Sequence, residues 1–460
     1  MPDFQDPTPP PSRIILPGGA PEPTGERPRI ILPPGASVET REDLPEYPRL
    51  RAVQIQVVRD PQDPQRELLL VMDPLGVCRQ QMVLGLETIA LLEMLDGTTS
   101  LTDLQALVMR ESKDLRLGNI VREFVGKLDD QFLLEGPRFE AEYDRLQAEW
   151  HPLEVRPAAL DGVCYPNEHE PLEGFLDEQF THARTGMTER GETEAQGETL
   201  PRALLIPHLD PRRRGHVQAR AALEVGPDVP LPLRVVVFGT GHQLHRHRVA
   251  LTRKRFETPF GQVPCDTEFV DRVAARVGPT AYREELVHRD EHSIEFVLLY
   301  LQRRLRYRRF TLVPILCGGF ETFYDESRDP RGDETLEALV AGVREAEAEL
   351  GGPTLYVASV DFSHVGPRFG DPALDEEGAR AIQQVDETAL NAASSGDADR
   401  WWASLATDEN ATRICGLGPT WCMLRCAEPG EGRPLLYDQS PEPGGLVSVA
   451  AMVWPGRASA

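Results

Sequence analysis

Arg234-Val235-Val236-Val237-Phe238-Gly239-Thr240-Gly241-His242 is the stretch that decides how this chain folds. An apolar run from Arg234 to Phe238 reads as a strand, and the Gly-Thr-Gly turn that stops it delivers a histidine. Three more runs are built alike. Ala203 to Ile206 ends at Pro207-His208, Phe310 to Leu316 at Cys317-Gly318-Gly319, and Leu355 to Val360 at Asp361-Phe362-Ser363-His364. Helical segments separate the runs, so the pattern predicts an α/β fold with a mostly parallel central sheet flanked by helices. In open sheets of this kind ligands bind beyond the carboxyl ends of the strands. His208, His242 and His364 all stand at such ends, so side chains far apart in sequence can converge on one site. Taken singly, each could equally be a loop histidine bonded to backbone.

Other residues add to this constellation. In Asp290-Glu291-His292-Ser293-Ile294-Glu295, Asp290 is expected to cap a helix whose core face is Ile294, Val297, Leu298 and Leu301. Glu291 and Glu295 then suit the helix dipole, and His292 and Glu295 are neighbours one turn apart. His292, if turned to the sheet, can bond a substrate or an outer ligand. Cys415 precedes Gly416-Leu417-Gly418-Pro419, a turn that opens another helix, and a helix N-terminus favours the metal-binding thiolate. A buried structural thiol is the alternative. His245 and His247, and His216 beside Arg212-Arg213-Arg214, are expected at the surface, the arginines in a solvated turn.

The series PAALDGVCYP, LLIPHLD, VVVFGTGH, FETPFGQVPCD, EHSIE, VPILCGG, SVDFSH, RICGLGP and LLYDQS resembles the Memo family in content and order. That family includes the B component of the AmmeMemoRadiSam system. The resemblance implies a fold like that of class III extradiol dioxygenases, which bind non-haem iron. It places metal ligands on His208, His242 and Cys415, with Asp361, His364 and His292 as pocket residues and His364 at the position of an acid/base histidine. Two departures stand out. His208-Leu209-Asp210-Pro211 replaces the usual His-Ala-Gly-Tyr, which alters the expected rim, and Thr240 replaces a serine but keeps the hydroxyl. Two imidazoles and a thiolate make a softer donor set than two histidines and a carboxylate. One transition-metal ion is expected, iron or copper, with zinc also compatible. A redox enzyme, dioxygenase-like, and a non-catalytic copper- or peptide-binding adaptor both follow from such a set.

The rest of the 460 residues reads as follows. Residues 1–48 are rich in Pro and Gly and are expected to be disordered. Within them Arg13-Ile14-Ile15-Leu16-Pro17 recurs as Arg29-Ile30-Ile31-Leu32-Pro33, either as docking strands or as a duplicated linker. Residues 49–139 show two strands (around Val53 to Val57 and Leu68 to Met72), then helices over Gly85 to Gly97, Thr98 to Arg110 and Gly118 to Gln131, and a closing strand at Phe132-Leu133-Leu134. LETIALLEMLDGTTSLTDLQALV followed by LDDQFLLEG resembles the PqqD-like winged-helix domains that recognise precursor peptides. This resemblance implies a peptide partner, and the Memo resemblance implies a radical-SAM enzyme as working companion. A plain packing module fits the same pattern. Residues 140–156 read as a helical linker, residues 157–457 as the metal-binding domain, and 181–199 as a polar surface loop within it. With 49 basic and 74 acidic side chains the net charge is −25, which disfavours nucleic acid and anionic membranes as partners. The absence of a long apolar run or a signal-like start points to the cytoplasm. Seven scattered cysteines make no disulfide framework, and Cys422 and Cys426 read as buried hydrophobes on one helix.

Overall fold

A computed structural model describes residues 43–456, apart from 60–62, 64–65, 79–81, 245, 319 and 326–328. Most of the Pro/Gly-rich stretch, both Arg-Ile-Ile-Leu-Pro copies and His245 lie outside the described residues. The described chain falls into two compact units: a smaller one up to residue 151 together with 366–373, and a larger one over 152–365 and from 374 onward.

The smaller unit has an antiparallel sheet of β1 (Gln54–Arg59), β2 (Glu67–Met72) and β3 (Met82–Gly85), in that order. Helices α1 (Ile89–Glu93), α2 (Leu101–Ser112), α3 (Leu117–Asp130) and α4 (Pro137–Trp150) follow. Leu69, Val71, Leu91, Leu104, Val108, Val121 and Leu128 build its core. The first helix is shorter than its sequence pattern. It stops at Glu93, and Gly97 lies beyond it at φ +81°, next to the bridge between Arg49 and Asp96. The expected closing strand reduces to a single bridge between Leu50 and Leu134. The charged stretch after 139 is not a separate connector. It continues α4, whose apolar side (Phe139, Tyr143, Leu146, Trp150) is buried.

The larger unit runs β4 (Val155–Arg156), α5 (His169–Glu189), β5 (Ala203–Ile206), α6 (Pro211–Ala222), β6 (Leu233–Thr240), β7 (Val249–Leu251), β8 (Arg255–Phe256), α7 (Thr267–Val277), α8 (Ser293–Arg304), β9 (Phe310–Cys317), α9 (Thr322–Asp325), α10 (Glu334–Leu350), β10 (Thr354–Ser359), β11 (His364–Val365), α11 (Glu376–Ser394), α12 (Ala398–Ala406), α13 (Leu417–Ala427), β12 (Arg433–Glu442) and β13 (Gly445–Trp454). Its main sheet has the order β11-β13-β5-β10-β6-β9-β7, with β12 on β13. The expected parallel centre is present in β5, β10, β6 and β9. The margins are antiparallel: β7 pairs with β9, and β13 with β5, β11 and β12. Helices α5, α6 and α8 pack together on one side, through Leu172, Leu176, Ala219, Phe296 and Tyr300. Helices α7, α10, α12 and α13 contribute to the other apolar cluster, around Phe238, Trp401 and Trp421. Burial of such a side chain stabilises by about 1.5–3 kcal/mol.

Two local expectations are corrected here. Residues 181–189 are helical, not loop, because Leu172, Leu176, Phe180, Ala183 and Met187 keep one buried stripe that outweighs Gly186 and the threonines. Arg212 to Arg214 open α6 instead of forming a free turn. Asp210 caps that helix, Arg213 binds Ser440 and Glu442, and Arg214 reaches the Gln439 carbonyl.

Arg156 and Glu295 form an ion pair with both side chains fully buried. Replacing Arg156 by Met leaves the Glu295 carboxylate uncompensated, so R156M should lower the unfolding free energy by about 3–5 kcal/mol in denaturant titrations. A loss below about 1 kcal/mol would show that the pair is dispensable.

Candidate metal centre

Register sets the site. Ser359 of β10 pairs with Ile206 of β5 on one side and with Gly239 of β6 on the other, so three parallel strands end level. His208, Asp361 and His242 follow just beyond these ends. Cys415 arrives from a different direction, at the entrance of α13. Its close approach needs Gly416: a Cβ there would lie 2.8 Å from Val360 Cβ. Gly239 has the same role under α8, where a Cβ would meet Ser293 Oγ at 2.6 Å.

His208 is 1 % exposed. Its Nδ1 lies 2.9 Å from the Ser359 carbonyl, which can only accept, so the neutral ring keeps its lone pair on Nε2. Nε2 stands 3.5 Å from Cys415 Sγ and 3.8 Å from Asp361 Oδ2. The Asp361 amide donates to Cys415 Sγ at 3.2 Å, and Thr240 Oγ1 lies 3.8 Å from the same sulfur. His242 sends both its amide (3.0 Å) and its ring Nδ1 (3.1 Å) to the Glu291 carboxylate. The donor atoms of His208, His242 and Cys415 all lie within 4.8 Å of one another.

The remaining sequence candidates surround this group. His292 stacks on His242 at 4.8 Å and sits edge-on to His208 at 5.1 Å. Asp361 Oδ1 accepts the amides of His208 and Leu209 at 2.9 and 3.0 Å, so Asp361 anchors backbone and does not orient the His208 ring through Nδ1. His364 directs Nδ1 to the carbonyls of Phe362 (2.8 Å) and Arg413 (3.1 Å). Arg413 holds a left-handed φ of +56°, the kind of backbone strain found at functional sites. Asp290 does not cap α8. That helix begins at Ser293, whose amide is taken by Glu291 Oε1 at 2.9 Å, while Glu295 turns inward to Arg156 instead of meeting His292. Two expected surface histidines are partly buried: His216 stacks on His182 and pairs with Asp438, and His247 pairs with Glu284. Sequence reading treated Glu291 as a capping residue. Its place directly before His292 in EHSIE was the available signal.

The charged forms of the site residues depend on one another. Burial disfavours charge on His208, but Asp361 and Cys415 outweigh it and raise its pKa to about 9. Burial likewise opposes a Cys415 thiolate, yet His208 and His242 bring its pKa down to about 5. His242 is raised well above its ordinary value against burial by Glu291 and Cys415, and Glu291 is held well below the carboxylate range against burial by His242 and the Ser293 amide. Burial lowers His292 to about 3, so it is neutral.

Residues 156–451 match the Memo-like protein family. The chain belongs to the Memo family. A MEMO1 family protein of Thermus thermophilus is 30% identical over 325 residues, 70% of this chain and 89% of the relative. One from Aquifex aeolicus is 25% identical over 381 residues, 82% of this chain and 92% of the relative. That alignment is longer than the family segment and the few residues after it, so it includes part of the chain before residue 156. One from Methanosarcina mazei is 29% identical over 277 residues, 60% of this chain.

The pKa directions carry a test. The Cys415 thiolate favours the folded, metal-free protein above the ordinary thiol value of 9.0, and that contribution is lost as pH falls through about 5. The His208 imidazolium contributes below 6.5 and is lost as pH rises through about 9. The thiolate ultraviolet absorbance of metal-free protein, minus that of C415S, should therefore titrate near pH 5. A midpoint near 9 would show an ordinary thiol.

Proposed function

We propose that the protein is a metal-dependent redox protein that holds one transition-metal ion, iron or copper in preference to zinc, on His208, His242 and Cys415. One observation carries the metal-binding part of this reading; the preference for iron or copper follows from the soft thiolate in the donor set. Zinc-type bonds of about 2.0 Å to nitrogen and 2.3 Å to sulfur, at a tetrahedral angle, put the two donors about 3.5 Å apart. The His208 Nε2 to Cys415 Sγ separation is 3.5 Å. This match of one donor pair supports the proposal of a shared ion, with the third donor atom within 4.8 Å. When bound, such an ion supplies Lewis acidity and open coordination positions for a substrate oxygen.

The chain's own residues supply the rest of the chemistry. Cys415 is a thiolate at neutral pH, so the soft donor needs no deprotonation step. His364 donates Nδ1–H to two carbonyls, so the lone pair of its neutral ring is on Nε2, the atom assigned to proton transfer. Asp361, fixed by two amides, is a carboxylate beside the same sulfur and ring, suited to receive a proton or to bond a substrate hydroxyl. His292 is a neutral wall of the pocket with a hydrogen-bonding edge. The proposal assigns His364, Asp361 and His292 as catalytic residues of a dioxygenase-like reaction, on a sheet proposed to resemble that of class III extradiol dioxygenases. A second reading rests on the thiolate: a soft sulfur donor suits holding copper without turnover, in an adaptor.

The smaller unit is proposed to be PqqD-like, with a peptide and a radical-SAM enzyme as partners, and the protein to act in the cytoplasm. The excess of acidic charge supports partners other than nucleic acid or anionic membranes. No helix among the described residues is long and apolar enough to cross a membrane.

Metal analysis of protein purified without added metal tests the central claim. The parent should carry close to one ion per chain, and C415A should bind at least about tenfold more weakly, the scale of loss seen when even an outer partner is removed. Equal metal content and affinity in both would refute it. For the smaller unit, full-length protein should retain a precursor peptide from a radical-SAM pathway in equilibrium binding; a panel of such peptides with no binder would count against that role.

A further inference from the structure

The two imidazoles of the site are anchored unequally. His208 rests its ring on a neutral backbone carbonyl, that of Ser359. His242 gives both its ring Nδ1 and its own amide to one carboxylate, Glu291, which is 6 % exposed. The backbone carbonyl of Glu291 in turn accepts Arg156 Nη2 at 2.7 Å, and its Oε1 takes the Ser293 amide at 2.9 Å. The carboxylate therefore cannot swing away from the histidine without also giving up the Ser293 amide.

We infer that Glu291 is a positioning residue that fixes the tautomer and raises the donor strength of His242. This rests on the metal-binding reading above. An imidazole whose Nδ1–H is held by a carboxylate must present Nε2 as its lone pair, and the nearby negative charge makes that lone pair more basic. His208 is held differently: a neutral carbonyl fixes its Nδ1, and the Asp361 carboxylate stands 3.8 Å from its Nε2. The ring stacking of His292 on His242 adds a rigid wall that keeps the ring plane from turning.

The competing explanation is structural, since Glu291 also bonds the first amide of α8. A double-mutant cycle separates the two. Co²⁺ affinity and the visible absorption of the Co²⁺ form would be measured for the parent, E291Q, H242A and the double variant. Expected is a loss of about tenfold to a hundredfold for E291Q in the parent, with a shifted Co²⁺ spectrum. In the H242A background the same change should cost less than about twofold, because the residue it acts through is gone. Equal losses in both backgrounds, or an E291Q spectrum and affinity matching the parent, would overturn the inference while leaving the metal site standing. A parent protein that takes up no Co²⁺ would overturn both this inference and the metal-binding reading.

Discussion

A single buried guanidinium holds the site end of the larger unit together. Arg156 donates to the carbonyls of Pro157, His288 and Glu291 and pairs with Glu295, and Glu295 accepts the amides of Ala159 and Leu160 and the hydroxyl of Tyr165. Both charges are out of water, and such a pair is tolerable only when every remaining donor and acceptor is satisfied. Here the strand that begins the unit, the loop before α8 and the first turn of α8 are tied at one point. Glu291 lies between two of those ties. The position of His242 is thus set by residues far from it in sequence, and the accuracy of the donor geometry is inherited from this network.

The site itself repeats the same logic with smaller charges. Sulfur, imidazoles and carboxylates each make the neighbour's charged form easier to hold, so burial, which opposes every one of them singly, is offset collectively. A positive and a negative group within bonding distance are the electrostatic background in which a dication exchanges with protons.

Much of the sheet could be read in advance because its signals are local. An apolar run stopped by Pro, or by Gly and Thr, needs no partner to be recognised, and the parallel β5, β10, β6 and β9 came from such runs. The convergence of His208, His242 and Cys415 was legible only by combining strand ends with a family resemblance. What was missed depends on distant partners. Residues 181–189 look like a loop until the groove that buries Phe180, Ala183 and Met187 is known. The antiparallel pairing of β13 with β5 is a choice between strands that no local pattern encodes. Asp290 has the chemistry of a cap, but the helix starts later because Glu291 takes the Ser293 amide while holding His242. Glu295 reads as a first-turn acid on a helix dipole until Arg156, from the start of the domain, is seen beside it.

The donor atoms lie on segments that meet only when the sheet is complete: His208 and Cys415 are 207 positions apart and belong to opposite ends of the unit. If the site holds the proposed ion, a nascent or partly unravelled chain offers these donors singly, too weakly to retain it. Occupancy would then report that assembly has finished, and an occupied molecule would resist reopening in proportion to the logarithm of free ion concentration. Scarcity of the ion would fall first on the lifetime of the protein against cellular proteases, before any chemistry at the centre is counted.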